Sequence, residues 1–573
     1  MRAPILATPV LAALTLIACA GDSGGSATAA LTSAGATTTP ATTGESGATT
    51  TAMTTATTTA TTTAGPTSAA TETSGATSGA MTTGTTDGTG ETDDPPPPEA
   101  WSARRGAIHV HSPFSHDACD KEGLKDGVPN KACADDLRAA ACSVGLDFVL
   151  LTDHPDYMRD YPFEALLDVR PGDEVLMDGE HPVANRITCP NDHEVLVAVG
   201  YESTHALPLG LHHHVAAEFY DGITDADSLA DASALVATLQ AAGAVVGIAH
   251  SEEDDLSATR IVEAGLDAME WYNPHGNFKT ALGGDSIGGD PAAVLDLLQG
   301  LLPFMAGSNS GAHPDLVYLT LLPAWPVEGF AKWREVLRSR PITGIFGSDV
   351  HQNVHVDPIC DQENPLLLAA CITSAEAVLP AALEGLISGG TLTMADGDRL
   401  DTFDRIFRWL ENRVLVDADA PVDLAAIQEA LRSGRSYGLF SVFGEPADFA
   451  FTADAGGVAH QLGEALAPPF TLILDAPTAA APMAAAGPQW DAGEGTKASI
   501  RAVLVRTDEK GSEEIAQLEV LGGRLEHEVE APGAYHVEIW VRPGHLAGPL
   551  GEEAELAETE YLWLITNPIY AAP

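Results

Sequence analysis

Residues 107–111 read Ala107-Ile108-His109-Val110-His111, an apolar run that ends in two histidines one residue apart. Side chains on a strand repeat every second residue, so the two imidazoles point to the same side of a strand. Imidazole pairs of this kind bind metal ions. A lone His-x-His also occurs on strands without any function. The case for a metal site here depends on further histidine and carboxylate motifs downstream.

Four further apolar runs end in histidine or carboxylate side chains, and each has the composition of a buried strand. The functional groups of a β/α barrel gather at the C-terminal ends of its strands. We therefore expect five strand ends to meet on one rim. The four runs and the residues that follow them are Phe148–Leu151 with Thr152-Asp153-His154, Val195–Val199 with Gly200-Tyr201-Glu202, Val245–Ala249 with His250, and Ile342–Phe346 with Gly347-Ser348-Asp349-Val350-His351.

Segments with helical patterning lie between these runs. Strands that alternate with helical stretches of ten or more residues indicate βαβ units and a parallel sheet. The sequence therefore predicts the α/β class, with a barrel as the architecture. The predicted helices are Asp135–Val144, Leu229–Ala242, Pro291–Leu302 and Phe330–Arg338.

The pattern changes after Tyr437, where short apolar or alternating runs are separated by turns rich in Gly, Pro and Asp. Several short strands at such spacing predict an antiparallel sandwich. The runs are Phe470–Leu474, Ser499–Val505 and Tyr535–Val541. We expect the last segment, Trp563–Pro568, to dock back onto the barrel.

The histidine and carboxylate motifs resemble those of the PHP (polymerase and histidinol phosphatase) family of metal-dependent hydrolases, whose fold is a distorted seven-stranded β/α barrel. The resemblance spans roughly residues 101–440. Two segments, Ala430–Tyr437 and Thr566–Tyr570, look like parts of the branch that includes carbaryl hydrolase. The matching motifs, in the family's order, are Ile108-His109-Val110-His111-Ser112 with His116, Leu151-Thr152-Asp153-His154, Gly200-Tyr201-Glu202, His250 and Gly347-Ser348-Asp349-Val350-His351.

The resemblance implies a set of ligands larger than one ion needs, and hence two or three divalent ions. Imidazole together with carboxylate suits Zn, Mn or Fe. His214 is the preferred histidine of the His212-His213-His214 run, with His213 as the open alternative. The implied ligands are His109, His111, Glu202 and Asp349 for the first ion, His116, His154 and His351 for the second, and His250, Glu202 and His214 for the third.

The implied chemistry is hydrolysis by a water that two cations share and deprotonate. Asp349 and Glu202 are the candidate catalytic residues, with Asp349 as proton acceptor. Glu270 and Asn273 are either contacts of the site or polar caps of a buried strand. The expected activity is that of a phosphoesterase. The alternatives are a carbamate, ester or amide hydrolase and a surface binding protein with little turnover.

The charge of the chain bears on its partners. Its 28 basic and 81 acidic residues give a formal net charge of −53. Nonspecific binding to nucleic acid needs Lys and Arg to displace the counterions of the phosphates. We therefore expect a small-molecule ester or phosphoester as substrate and no nucleic acid as partner. Oligomeric state is not readable from the sequence.

Residues 1–19 have the features of an export signal, with Arg2 before the apolar run Ile5–Ile17. The run is too short to span a bilayer as a helix. Leu16-Ile17-Ala18-Cys19 resembles a bacterial lipobox, which implies cleavage before Cys19 and a lipid on its thiol. An ordinary signal peptide is the alternative. Ala20 after the cysteine implies the outer membrane, so we expect a lipid-anchored protein of the cell envelope.

Residues 20–100 are almost entirely Thr, Ala, Ser, Gly and Pro. Such a segment buries too little apolar surface to offset the entropy lost on ordering, which predicts a disordered tether. The predicted organisation is therefore signal peptide 1–19, tether 20–100, PHP-like domain 101–440 and β-rich domain 441–573.

The six cysteines after Cys19 suit up to three disulfides in an exported chain, with fifteen possible pairings. Metal ligation by cysteine is the second interpretation, although Cys-x-x-Cys spacing is missing. One pairing is specifically predicted. Cys360 and Cys371 bracket a short loop after the Asp349 strand, and we expect them to form a disulfide.

Overall fold

The computed structural model describes residues 16–17, 101–220, 222–223, 229–253, 256–274, 300–305, 310–322, 327–356, 390–419, 421–482 and 497–573. Several predictions lie outside these ranges. They concern Cys19, the tether at 20–100, most of the helix predicted at Pro291–Leu302, and the pairing of Cys360 with Cys371.

The described α-helices of seven or more residues occur between the strands, as predicted. None of the helices in these ranges is both long and apolar enough to cross a membrane. The helices are α1 (Lys131–Val144), α2 (Leu229–Ala241), α3 (Ala258–Ala264), α4 (Val327–Leu337), α5 (Phe403–Trp409) and α6 (Leu424–Ser433).

The strands of three or more residues fall into a first group before residue 440 and a second group after it. The first group is β1 (Trp101–Val110), β2 (Phe148–Leu151), β3 (Glu174–Asp178), β4 (His181–Thr188), β5 (Glu194–Val199), β6 (Ala206–Leu209), β7 (Val245–Ile248), β8 (Ala268–Tyr272), β9 (Thr343–Phe346), β10 (Glu411–Asp417) and β11 (Ser436–Leu439). The second group is β12 (Ala450–Ala455), β13 (Val458–His460), β14 (Phe470–Asp475), β15 (Ser499–Asp508), β16 (Gly511–Leu518), β17 (Arg524–Val529), β18 (Gly533–Arg542), β19 (Tyr561–Thr566) and β20 (Ile569–Ala571).

The largest sheet is mixed. β1, β2 and β5 run parallel, and β4 and β3 continue the sheet antiparallel beyond β5. On the other side of β1, the strands β10, β11, β19 and β18 follow one another antiparallel. The α/β class predicted from the sequence is thus confirmed.

The expected barrel is present only as separate ladders. β6 pairs antiparallel with β7, and β8 pairs parallel with β9. The chain leaving β9 returns to β1, since Val350 forms a parallel bridge with Val110 and the Asp349 N–H donates to the His109 carbonyl at 2.7 Å. Across the described ranges the hydrogen-bonded ladder is not closed. A complete barrel is therefore not established, but the ends of β1 and β9 do meet.

Local sequence explains why these elements form where they do. All four side chains of β2 are buried, as the apolar run predicted. A Cβ on Gly106 would lie 2.0 Å from the Phe148 ring, so only glycine lets β1 approach β2 this closely. Helices α1 and α6 end at Gly145 and Gly434, whose positive φ of 71° and 73° terminates a helix without steric cost.

The C-terminal region is antiparallel except for a two-residue parallel ladder between residues 465–466 and β20. The order β13–β12–β14–β17 forms one sheet, while β18 and β19 extend the large mixed sheet, β15 pairs with β18, and β16 pairs with β15. The predicted docking of the chain end is confirmed, because β19 pairs with β11 and the Asn567 amide bonds to both the N–H and the carbonyl of Gly344 at 2.7 and 3.0 Å. The sheet therefore continues across residue 440.

Two disulfides join Cys119 to Cys133 and Cys142 to Cys189. The expectation of disulfides rather than cysteine metal ligands is confirmed for these four residues. Both bonds end on α1, and they tie this helix to the loop after β1 and to the turn after β4.

Candidate metal centre

Three residues at strand ends adopt a left-handed backbone, with φ of 62° at His109, 49° at His250 and 49° at Asp349. Non-glycine residues rarely adopt this conformation, and it persists only where the surrounding structure enforces it, often at functional sites. Here hydrogen bonds between neighbouring strand ends, such as Ser348 Oγ to the His109 carbonyl at 2.7 Å, hold the backbone. The side chains of His109 and Asp349 belong to one cluster of histidines and carboxylates, and that of His250 approaches it.

The first group of side chains, which we call cluster A, consists of His109, His111, Glu202 and Asp349. Nε2 of His109 lies 3.2 Å from both Glu202 Oε2 and Asp349 Oδ1. Nε2 of His111 lies 3.4 Å from the same two oxygens. Two imidazole nitrogens and two carboxylate oxygens therefore surround a single point.

The second group, cluster B, consists of His111, Asp117, His154 and His351. Asp117 Oδ2 lies 3.2 Å from His351 Nε2 and 3.5 Å from His154 Nε2. The ring of His111 stacks on that of His351, with centroids 3.6 Å apart. His111 thus belongs to both clusters, which are adjacent.

Several of these buried atoms have no hydrogen-bond partner. They include Nε2 of His109, His111 and His351, and Oδ1 of Asp349. A buried polar atom without a partner costs free energy, so such atoms are rare in proteins. Four of them directed at the same pair of points fit a site for divalent cations. Nitrogen and carboxylate ligands together suit Zn, Mn or Fe.

At most residues of the site, neighbouring charges shift the pKa in the direction opposite to the shift caused by burial. Burial alone would raise the pKa of Glu202 and Asp349, but the neighbouring imidazoles, above all His109, hold the pKa of each carboxyl well below its usual range. Burial would lower the pKa of His154, yet Asp117 and Glu202 raise it to about 9. Burial and the adjacent His351 instead lower the pKa of His111 to about 4. The shared histidine is therefore neutral near pH 7, as a metal ligand must be.

Glu270 lies directly behind cluster A. Its Oε1 is 2.6 Å from Nδ1 of His109, and its Oε2 accepts hydrogen bonds from the His250 N–H at 2.8 Å and the Asn273 amide at 3.2 Å. A Cβ at Gly347 would lie 1.8 Å from Oε1, so this glycine makes room for the carboxylate. Of the two sequence interpretations of Glu270 and Asn273, the structure supports contacts of the site.

A hydroxyl connects the shared histidine to Asp117 of cluster B. Ser115 Oγ lies 3.1 Å from Nδ1 of His111 and donates to Asp117 Oδ1 at 2.8 Å. The bond orients Asp117 while leaving its Oδ2 directed at His154 and His351. Hydrogen bonds of this kind fix the orientation and basicity of metal ligands.

Most of the candidate residues from the sequence are brought together. His250, the member outside the two clusters, approaches cluster A with Nε2 2.9 Å from Glu202 Oε1 and 3.7 Å from Asp349 Oδ2. The residues that meet here are His109, His111, His154, Glu202, His250, Asp349 and His351.

His116 is not a member of either cluster, and its neighbour Asp117 takes the place that sequence reasoning assigned to it. The His116 side chain is 27% exposed, and its Nδ1 lies 3.6 Å from Asp156. The structure thus groups Asp117 rather than His116 with cluster B, although the ring of His116 lies 5.0 Å from that of His154, and the assignment of His116 as a ligand stays a prediction. The Ser115-His116-Asp117 sequence contains both candidates, and loop residues follow no periodicity that would have distinguished them.

His214 is held away from the clusters. Its Nδ1 lies 2.6 Å from the Tyr220 hydroxyl, and its Nε2 lies 2.8 Å from the Tyr161 carbonyl. Both ring nitrogens are thus engaged elsewhere. The alternative, His213, is exposed, with Nδ1 2.9 Å from the His214 carbonyl. Within the described ranges, the structure does not assemble the third ligand set that was predicted with His214.

Comparison with known proteins adds little. No family model matches the chain, and no curated protein matches it. A crystal structure of a two-domain protein containing a predicted PHP-like metal-dependent phosphoesterase from Bacteroides vulgatus shares 11% identity, covers 82% of this chain and 96% of its own, and has a TM-score of 0.24. A TM-score this low carries no argument. The case for a metal centre rests on the side chains of clusters A and B.

Proposed function

We propose that this chain is a metal-dependent hydrolase of the PHP type that cleaves phosphoester bonds with two divalent cations. The observation that carries the proposal is the pair of adjacent clusters that share His111 and contain buried nitrogen and oxygen atoms without a hydrogen bond. Packing alone does not require such a concentration of titratable groups, because buried charges are costly unless paired or bound to metal.

Two cations bound here would polarise the scissile bond and make a water acidic enough to attack it. The chain's own residues would orient the cations and the water. Glu202 is suited to connect the sites, because its Oε2 lies 3.2 Å from His109 Nε2 and 3.7 Å from His154 Nε2. Asp349, ionised beside His109, His111 and His250, would accept the proton of the attacking water.

The fold supports the same assignment. Seven strands, β1, β2, β5, β6, β7, β8 and β9, precede the point where the chain leaving β9 returns to β1, and β6 among them runs antiparallel to β7. We propose that they are the members of a distorted PHP barrel. The ligands then come from the C-terminal ends of its strands, where the active sites of β/α barrels lie.

A carbamate, ester or amide hydrolase is the second candidate. The two segments that resemble the carbaryl hydrolase branch meet in the structure, since Tyr437 of the first is paired with Thr566 of the second. Hydrolysis of aryl carbamates or aryl esters, in preference to phosphoesters, by the metal-loaded protein would favour this candidate.

We also propose that the protein is exported and anchored to the outer membrane of a bacterial envelope by a lipid on Cys19. The lipobox-like sequence and the Thr-rich segment after it support this proposal. Mass spectrometry of the N-terminal peptide tests it. An unmodified Cys19, or a protein found entirely in the soluble fraction, would contradict the anchor.

The proposed activity is tested by metal analysis combined with hydrolysis assays. The full-length protein is loaded with Zn or Mn, its ion content is measured, and turnover of phosphomonoesters, phosphodiesters, aryl esters and carbamates is followed before and after chelation. We expect two bound ions and hydrolysis that chelation abolishes and the metal restores. Asp349→Ala should lose an ion and nearly all turnover, whereas exposed His213→Ala should retain both. Fewer than two ions in the loaded wild-type protein, or activity that survives metal removal, would show the proposal to be wrong.

A further inference from the structure

Asp117 differs from the other members of cluster B in its origin. His111, His154 and His351 each follow a strand end, whereas Asp117 lies in the loop after β1. The strand pairing that positions the three histidines therefore does not position the Asp117 carboxylate. Its position depends on whatever holds the loop.

The chain directly after Asp117 has an unfavourable backbone. Cys119, Asp120 and Lys121 are three consecutive non-glycine residues with φ of 53°, 61° and 62°. L-amino acids adopt this left-handed conformation at a steric cost, and usually as single residues. Three in succession persist only if surrounding contacts impose them.

The contacts that hold this turn are specific. The Cys119 N–H donates to the His351 carbonyl at 2.8 Å, and the Asp120 N–H donates to the Gln352 carbonyl at 2.9 Å. Arg399 forms a bidentate pair with the Asp120 carboxylate at 2.8 and 2.9 Å. The covalent contact is the disulfide from buried Cys119 to buried Cys133 on α1.

We propose that the Cys119–Cys133 disulfide positions Asp117, so that cation binding at cluster B depends on the disulfide while binding at cluster A does not. The inference rests on the proposed function, because it concerns the second of the two cations. Without the bond, the left-handed turn relaxes and Asp117 moves away from His154 and His351. The ligands of cluster A come from strand ends and stay in place.

The second disulfide offers a matched control. Cys142 lies on the same helix as Cys133, and its partner Cys189 lies in the turn after β4. In the described part of the chain, the hydrogen bonds of Cys189 are to the neighbouring turn residues Asp192 and His193. Removal of this bond takes one disulfide from α1 and leaves the contacts of the Asp117 loop unchanged.

The experiment compares the full-length wild-type protein, the double variant C119S/C133S and the double variant C142S/C189S. Serine variants are preferred to a reducing agent, since free thiols would themselves bind Zn. Each protein is loaded with Zn, its ion content is measured by elemental analysis, and the affinity of each ion is measured by competition with a chromophoric chelator. We expect two tight ions in the wild-type protein and in C142S/C189S. In C119S/C133S we expect one tight ion and a second weakened about tenfold or more.

A further variant, Asp117→Asn, keeps the disulfide and should lose the same ion. Two equally tight ions in C119S/C133S or in Asp117→Asn would overturn the inference, as would loss of both ions from C119S/C133S while C142S/C189S keeps both. A wild-type protein that fails to hold two ions would instead contradict the proposed function, and the two failures are thereby distinguished.

Discussion

Clusters A and B share His111 but obtain their carboxylates from different kinds of structure. Glu202 and Asp349 of cluster A follow strands β5 and β9, and hydrogen bonds between neighbouring strands fix their backbones. Asp117 of cluster B lies two residues before a left-handed turn, residues 119–121, that a disulfide and an ion pair hold. The comparison teaches that a ligand on a strand end is fixed by the fold itself, whereas a ligand on a loop needs contacts of its own.

The largest effect is expected from the residue that both clusters share. His111→Ala removes a ligand from each site, so both ions should weaken and hydrolysis should fall by about a thousandfold or more, which corresponds to about 4 kcal/mol of lost transition-state stabilisation. Ion content and turnover of the loaded variant test this expectation. Retention of one tight ion would mean that the clusters do not share this histidine.

A smaller effect, confined to cluster B, is expected from Asp117→Ala. The variant should keep the ion of cluster A, lose that of cluster B and retain at most about a hundredth of the activity. His116→Ala is the matched control, because His116 is adjacent in sequence but outside both clusters. If His116→Ala loses the ion and Asp117→Ala keeps it, the original sequence assignment is right and the structural one is wrong.

Glu270→Gln tests the support of cluster A in the same way. The carboxylate that accepts from the His109 ring would become an amide, which orients and polarises the imidazole less strongly. The affinity of the cluster A ion should fall by about 10-fold to 100-fold, and that of cluster B should not change. Chelator competition on both ions measures the difference. Equal weakening of the two ions would show that Glu270 acts on the whole site.

The last prediction is a pH dependence of cation binding at cluster B. Because the pKa of His154 is raised to about 9, this imidazole carries a proton near neutral pH and must release it to bind a cation. The affinity should therefore fall as the pH falls below about 9, by about tenfold per pH unit for the proton released by His154, and more steeply where His351, whose pKa Asp117 raises against the effect of burial, is protonated as well. His111, with its pKa of about 4, should add no pH dependence above about pH 5. Chelator competition between about pH 6 and pH 9 measures the slope, and a flat profile would contradict it.

Sequence reasoning predicted the strand-borne part of the molecule well. The apolar runs became β2, β5, β7 and β9, and the histidines and carboxylates that follow them meet in the clusters. The physical reason is that a buried strand requires a continuous run of apolar residues in the sequence. The side chain of the residue that follows such a strand can point in only a few directions. The α/β class, the helices between the strands and seven of the candidate ligands were therefore readable from sequence.

Only the tertiary structure decided the rest. Asp117 rather than His116 is grouped with cluster B, and it lies beside a turn that contacts Cys133 and also Arg399, which is distant in sequence. The ring nitrogens of His214 contact the Tyr161 carbonyl and the Tyr220 hydroxyl, and the residues around His214 in the sequence do not predict these contacts. The partners of Cys119 and Cys142, and the extension of the sheet through β19, likewise arise from long-range contacts. Local patterns specify which residues end a strand, but contacts between distant segments determine where a loop residue points.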